Sequence, residues 1–258
     1  MAPSPARPPV SSGAAPSLGE AILRRGAAAA LPFWRAHRDS LGPLRFVLMD
    51  MRGAFCPVDR FFYNRIPKSA NSTVMRVLTQ FSQDTASIGK ADKSRFRRPS
   101  RMTRAQVRAL QEGEIFRFTF VRDPYARVLS AYQDKIMGRS PQFTRHFPQN
   151  AGGQTPSFAE FCRALQDGLL YKDAHWAPQT SLLLLPPDRF DLIGRVETFE
   201  ADIAQVVARI WNQPYAPIAR VGTVTKAQTR RDDVYTDETR RLVAQLYQRD
   251  FDLLGYPV

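Results

Sequence analysis

With 258 residues, 43% of them hydrophobic, the chain is long enough to bury a real core and too apolar to be disordered throughout. A net charge of +13 and an isoelectric point of 10.3 favour acidic partners: nucleic acid, an anionic membrane, a carboxylated or sulfated polymer, or a polyanionic cofactor. The two cysteines, Cys56 and Cys162, exclude a disulfide framework and a cysteine-based metal site.

Residues 1–17 are rich in Pro, Ala and Ser and predict disorder. Residues 18–31 hold the alanine run Ala27 to Ala30 flanked by Arg24, Arg25 and Arg35, too short for a membrane span and too late for a signal peptide. Residues 1–40 are therefore expected to be a disordered or peripheral extension, and 41–258 a single domain. Residues 45–51 could form a small strand. Phe61, Phe62, Tyr63 and Ile66 then predict a buried strand that Pro67 ends. The polar loop from Lys68 to Thr73 leads into a helix starting near Ser72, with Val74, Val77, Leu78 and Phe81 as its apolar stripe. A strand entering a helix through a small-residue loop makes an anion site, because the first-turn N–H groups lack partners and the dipole favours negative charge. The loop is not G-x-x-x-x-G-K-[ST], so ATP or GTP binding of that type is not supported. Simple capping by Ser and Thr, with Lys68 at the surface, is the alternative reading.

Residues 89–111 carry Lys90, Lys93, Arg95, Arg97, Arg98, Arg101, Arg104 and Arg108 against one acid, Asp92. They read as a basic loop and then a helix capped by Thr103, either simply solvated or forming a rim that attracts an acidic partner. No nucleic-acid module signature is present. Residues 115–121 predict a second strand, followed by Asp123 as N-cap, Pro124 at the first helical position and another helix. Arg122 ends that strand and Ser130 lies about two turns into the helix. In a parallel sheet both rise toward the edge that holds the Lys68 loop. Residues 138–157 read as a long loop, 158–170 as an amphipathic helix, 190–196 as a strand with a helix after it, and 237–250 as a final helix. Strands alternating with helices give an α/β fold with a largely parallel, P-loop-like sheet.

The pair of motifs, Pro67-Lys68-Ser69-Ala70-Asn71-Ser72-Thr73 and Val121-Arg122-Asp123-Pro124-Tyr125 through Leu129-Ser130-Ala131-Tyr132 to Lys135, resembles the sulfotransferases that use 3′-phosphoadenosine 5′-phosphosulfate (PAPS), above all those acting on glycan hydroxyls. Later blocks agree in order: His175-Trp176-Ala177-Pro178-Gln179, Phe190 to Thr198, and the tail from Leu242 to Tyr256. The heavy use of Ala and Arg fits a GC-rich, bacterial member. The resemblance implies that Lys68 offsets charge on the leaving oxygen, that Ser69, Ala70, Asn71, Ser72 and Thr73 hold the 5′-phosphate, and that Arg122 and Ser130 hold the 3′-phosphate. It makes Lys226 and Arg230, in a basic loop, further nucleotide contacts. Asn71 stands where relatives have a smaller residue. The histidine that relatives often carry between the two motifs is absent here, which leaves His175 as the leading base or acceptor ligand, with a half-buried structural histidine as its alternative. His146 is a candidate substrate contact and His37 is incidental. Arg127 and Lys135 read as surface or structural residues, and Glu197 and Asp202 as structural acids at a helix start. The implied reaction is PAPS-dependent O-sulfation of an acidic saccharide, with no metal and no nucleic acid. The expected placement is cytoplasmic with peripheral membrane contact left open. A polyanion-binding module and a P-loop-like kinase are the rival readings.

Overall fold

The computed structural model describes residues 16–84, 92–150, 152–219, 221 and 234–258. Among these residues one sheet forms, in the order β1 (Gly53–Cys56), β2 (Phe61–Asn64), β3 (Phe116–Val121) and β4 (Leu192–Arg195). β1 is antiparallel to β2, whereas β2, β3 and β4 run parallel, with Asn64 opposite Thr119 and Val121 opposite Arg195. The central strands are apolar in nearly every position because both faces are covered. On one face Phe61, Tyr63, Phe118 and Phe120 pack against helix α4 (Asn71–Phe81) and a later helix, Phe199–Trp211. On the other, Phe55, Phe62 and Val121 meet an N-terminal helix pair and the apolar run from Leu182 to Leu185. That run is tied to β2 by buried Asn64, whose Nδ2 donates to Leu182 O (3.2 Å) and whose Oδ1 accepts from Leu184 N (2.6 Å).

The helices before the sheet are α1 (Leu18–Ala30), α2 (Pro32–Ala36) and α3 (Phe46–Asp50). After α4 come α5 (Asp92–Arg95), α6 (Arg104–Gln111), α7 (Pro124–Ala131), α8 (Pro141–His146) and α9 (Phe158–Ala164). α10 is Phe199–Trp211, and α11 (Asp237–Leu246) and α12 (Gln248–Leu254) end the chain. α7, α8, α9, α11 and α12 enclose a separate aromatic cluster around Trp176, Phe161 and Tyr247. Thr103 caps α6 in a reciprocal capping box with Gln106, and Asp123 caps α7 through Ala126 N at 2.8 Å. Gly194 in β4 is dictated by packing, since a Cβ there would stand 2.7 Å from the ring of Phe120.

Four expectations are corrected. Residues 45–51 form helix α3, not a strand: Phe46 and Met49, three apart, are buried while Val47 is exposed, a helical period. The segment expected to lie outside the core reaches into it, for Phe33 and Trp34 of α2 are 0% exposed and Trp34 Nε1 donates to buried Asp50 (3.0 Å). The loop expected over 138–157 contains α8, with Phe143 buried. The expected helices over 158–170 and 237–250 are each interrupted, the first at Asp167 and Gly168 (φ +106°) and the second at Tyr247. Both cysteines are free and buried. Among the described residues no helix is long and apolar enough to cross a membrane.

Candidate active site

Beyond β2 the chain passes through Pro67 into a turn in which Lys68 (φ +68°) and Ala70 (φ +54°) both adopt left-handed backbone. Each such residue costs about 1–2 kcal/mol when it is not glycine, so the surroundings must impose it. Three contacts do so. Ser69 Oγ donates to Gln179 Oε1 (3.0 Å), Arg127 Nε to Pro67 O (3.0 Å), and Arg122 Nη1 to Lys68 O (3.4 Å). Ala70 is the N-cap residue of α4 and supplies no side-chain acceptor to it. Thr73 N donates to Ala70 O (2.9 Å), so the first-turn amides of Asn71 and Ser72, with the positive end of the helix dipole, are those directed at an external anion.

Gln179 joins this turn to the end of β3. Its Oε1 also accepts from Arg122 N (2.9 Å), and its Nε2 donates to Arg122 O (2.7 Å). Gln179 is itself fixed from behind by Asp250, whose carboxylate accepts from Gln179 N (2.7 Å) and from Thr180 N and Oγ1 (2.8 and 2.7 Å). Burial pushes the Asp250 carboxyl up, against these bonds. Arg127 on α7 is buried and also donates to Ala177 O (2.8 Å) and Ala174 O (3.1 Å). Its role is structural, and the surface option is removed. Ser130, 2% exposed, lies three residues further along α7, on the helix face that Arg127 turns toward Pro67.

α7 continues into a π-helical stretch, Tyr132–Met137, a deviation that often marks function. It presents Asp134, whose Oδ2 lies 3.0 Å from Lys68 Nζ and 3.0 Å from Lys135 Nζ. Burial lowers the Lys68 pKa, and Asp134 opposes that shift. Nearby, His175 Nδ1 is 2.6 Å from Asp173 Oδ1, while His146 Nε2 stands 3.9 Å from the other oxygen of the same carboxylate. Burial lowers the pKa of His175, Asp173 opposes the shift, and the charges of Lys135 and Arg52 reinforce it. Burial disfavours the Asp173 carboxylate, but its hydrogen bonds with His175 and the proximity of His146 outweigh that and hold its pKa well below the usual carboxylate range.

A profile of the sulfotransferase family matches residues 52–257, most of the chain. The chain belongs to the sulfotransferase family. It is 28% identical over 227 residues to carbohydrate sulfotransferase 14 of Danio rerio, covering 77% of this chain and 60% of that protein. Against carbohydrate sulfotransferase 14 of Mus musculus the identity is 29% over 223 residues, with 77% and 58% covered. Against carbohydrate sulfotransferase 10 of Gallus gallus it is 23% over 238 residues, with 79% and 66% covered. The chain thus spans about three-fifths of the length of the first two relatives. No solved structure matches it.

In this member of the family the residues expected at the site converge only in part. Lys68, Ser69, Arg122 and the α4 N-terminus meet directly, whereas the hydrogen bonds of His175 go to Asp173. Ala70, Asn71 and Ser72 are half-buried at that N-terminus, with Asn71 Oδ1 accepting from Arg65 Nε (3.3 Å). The Ser69 hydroxyl is engaged by Gln179, and the Thr73 hydroxyl accepts from Val221 N (3.0 Å). Lys226 and Arg230 lie outside the described residues, although Val221 brings the beginning of their loop onto α4. His146 comes to Asp173, and His37 packs remotely on Phe33. Glu197 and Asp202 are structural as expected: Glu197 accepts from Asp123 N (2.9 Å) and Asp202 from Arg195 N (2.7 Å).

Three residues escaped the sequence reading. Asp173 could have been noticed two positions before His175. Gln179 stands in the quoted His-Trp block, but nothing in the sequence reveals that it bonds both motifs. Asp134 precedes Lys135 within the second motif, and only the π-helical turn brings it to Lys68.

Proposed function

We propose that this chain is an O-sulfotransferase that moves a sulfuryl group from PAPS to a hydroxyl of a carbohydrate. The observation that carries the reading is the junction at Gln179, which holds the Lys68 turn and Arg122 together at one edge of a parallel sheet. The donor set fits a nucleotide with two separate phosphates: uncapped α4 amides and Lys68 for one, the Arg122 fork and Ser130 for the other. PAPS, when bound, supplies the activated sulfuryl group.

The protein's own groups do the rest. Of the loop expected to hold the 5′-phosphate, the amides of Ala70, Asn71 and Ser72 orient it, since Ser69 N donates to Ile66 O (3.3 Å) and Thr73 N to Ala70 O (2.9 Å). Lys68 transfers its ammonium from Asp134 to the oxygen on which charge develops, a preorganised positive group in a half-dry site. His175 directs Nδ1 at Asp173, which selects the tautomer with its proton there and leaves Nε2 to accept the proton of the attacking hydroxyl. The saccharide acceptor is supported by the three carbohydrate sulfotransferases above, and its acidity by the charge of +13. No observation favours the kinase or the polyanion module.

Calorimetric titration with 3′-phosphoadenosine 5′-phosphate, ADP and magnesium-ATP tests the reading. The bisphosphate is expected to bind far more tightly than the other two. Arg122→Ala should weaken it roughly tenfold or more, since a hydrogen bond to a charged group contributes about 1.5–3 kcal/mol. Equal or absent binding of the three nucleotides would remove sulfotransfer from consideration.

A further inference from the structure

Helix α1 is folded with its polar side chains inward. Glu20 and Arg24 form an ion pair (2.9 Å) largely shielded from solvent. Arg24 Nη1 donates to Leu41 O and Gly42 O (2.9 Å each), its Nη2 donates to Leu44 O, and Glu20 accepts from Phe46 N at the start of α3. Ala27 alone of the apolar residues of α1 is buried. The outward face is apolar instead. Leu18 is 79% exposed, Ile22 62% and Leu23 44%, with glycine and alanine between them and Arg25 as the one exposed charge. α3 adds Val47, 46% exposed, next to the residue whose amide Glu20 holds.

A surface helix ordinarily does the reverse, because turning leucine and isoleucine to water forgoes the burial that drives folding. Here polar bonds hold the helix in place and leave its apolar face open. The chain before α1 does not carry a complement to that face: residues 1–15 contain no leucine, isoleucine or aromatic residue. A second copy fits poorly. A 13-residue helix is about 20 Å long and offers roughly 200 Å² on one face, against about 800 Å² per partner in a stable protein interface. Symmetric pairing would also bring like charges together. The surrounding charge favours a different occupant. Between residues 16 and 48, Arg25, Arg35, Arg38 and Arg45 are exposed against one exposed acid, Asp39. Arg35 Nη2 reaches back to Ala29 O in the last turn of α1 (2.8 Å), and Arg45 stands two residues before Val47, so both border the apolar face.

We propose that the outward face of α1, with Val47 of α3 and the arginines at its border, docks on the surface of an anionic phospholipid bilayer. Leu18, Ile22, Leu23 and Val47 enter the boundary between headgroups and acyl chains, while Arg25, Arg35 and Arg45 keep their guanidinium groups at the level of the lipid phosphates. The net charge of +13 draws the whole chain toward such a surface before the helix engages it. At 13 residues α1 lies on the bilayer and does not cross it. Docking of this kind needs neither nucleotide nor acceptor, so it stands apart from the sulfotransfer reading.

The test is co-sedimentation of the full chain with vesicles of phosphatidylcholine alone and of phosphatidylcholine with about one-third phosphatidylglycerol. Wild type is expected to bind the anionic vesicles at least tenfold more tightly than the neutral ones, and less tightly as salt is added. Replacing Leu18 and Ile22 together by serine should lower affinity for the anionic vesicles about tenfold or more, with the melting temperature in buffer unchanged because both side chains are exposed. Arg25→Glu with Arg45→Glu should lower it severalfold and weaken its salt dependence. Absence of binding, or equal binding to both kinds of vesicle, overturns the proposal. Equal binding by wild type and the double serine variant overturns it too, and assigns the adsorption to the net charge alone. A fall in melting temperature on serine substitution would show that the two side chains belong to the fold, and does the same. So would wild-type self-association in sedimentation equilibrium that the serine variant loses, which would assign the face to a second copy.

Discussion

His175 gains its chemical character from Asp173. The 2.6 Å contact at Nδ1 orients the ring, and burial keeps the ring neutral, with its pKa below the ordinary 6.5. A base that is neutral at pH 7 loses activity only on the acid side, so kcat/KM should stay level around neutrality and fall below that value. Asp173→Asn, which replaces the acceptor-only carboxylate with an amide that can also donate and so no longer enforces the tautomer, should lower kcat by about 10²–10⁴-fold, the usual contribution of a positioned base, and His175→Gln should lower it similarly and flatten the acid limb. The stability linkage has the same sign. Between the lowered folded pKa and the unfolded one the unfolded chain binds more protons, so this contribution to stability is complete above 6.5 and declines as pH falls below it. Ala70 carries an independent prediction. At φ +54° its Cβ is strained, and Ala70→Gly should raise stability by about 1 kcal/mol in urea denaturation.

At the scale of elements, the two motif turns depend on the short 3₁₀ helix Gln179–Leu182, and that helix depends on Asp250 at the far end of the sequence. Asp250→Ala leaves three donors without their buried acceptor and should cost about 3 kcal/mol, read as a lower urea midpoint with the slope unchanged. This dependence explains what could and could not be read from the chain. The two strand–turn–helix units announced themselves, because aromatic runs, Pro67, Asp123 and Pro124 are local signals with local causes. So did the Thr103 cap. Arg45 to Met51 misled because so short an apolar run is consistent with either period, and β1 itself is only four residues long. The links among Ser69, Arg122, Gln179 and Asp250 join positions as much as 110 residues apart, and no local pattern encodes them. Asp134 was hidden for a different reason: a regular helix was the natural continuation of α7, and a π-turn aims its residues elsewhere.

For the molecule as a whole, the N-terminal helices are part of the core. Removing residues 1–40 would strip away Phe33 and Trp34 and leave Asp50 without the indole donor. Truncating a single buried aromatic costs about 3–5 kcal/mol, so losing both should exceed the 5–15 kcal/mol margin of a typical domain at its lower end. The shortened chain is expected to show no cooperative thermal transition by circular dichroism, whereas an intact chain shows one. The Gln179 amide has a consequence on the same scale. Because one side chain clasps the two turns at 2.7–3.0 Å, they cannot slide relative to each other. If the two turns hold the two phosphates proposed for them, the site works as a gauge of length: it measures the separation of two anionic groups, and a nucleotide with its charges crowded at one end, however many it carries, can fill only half of the gauge.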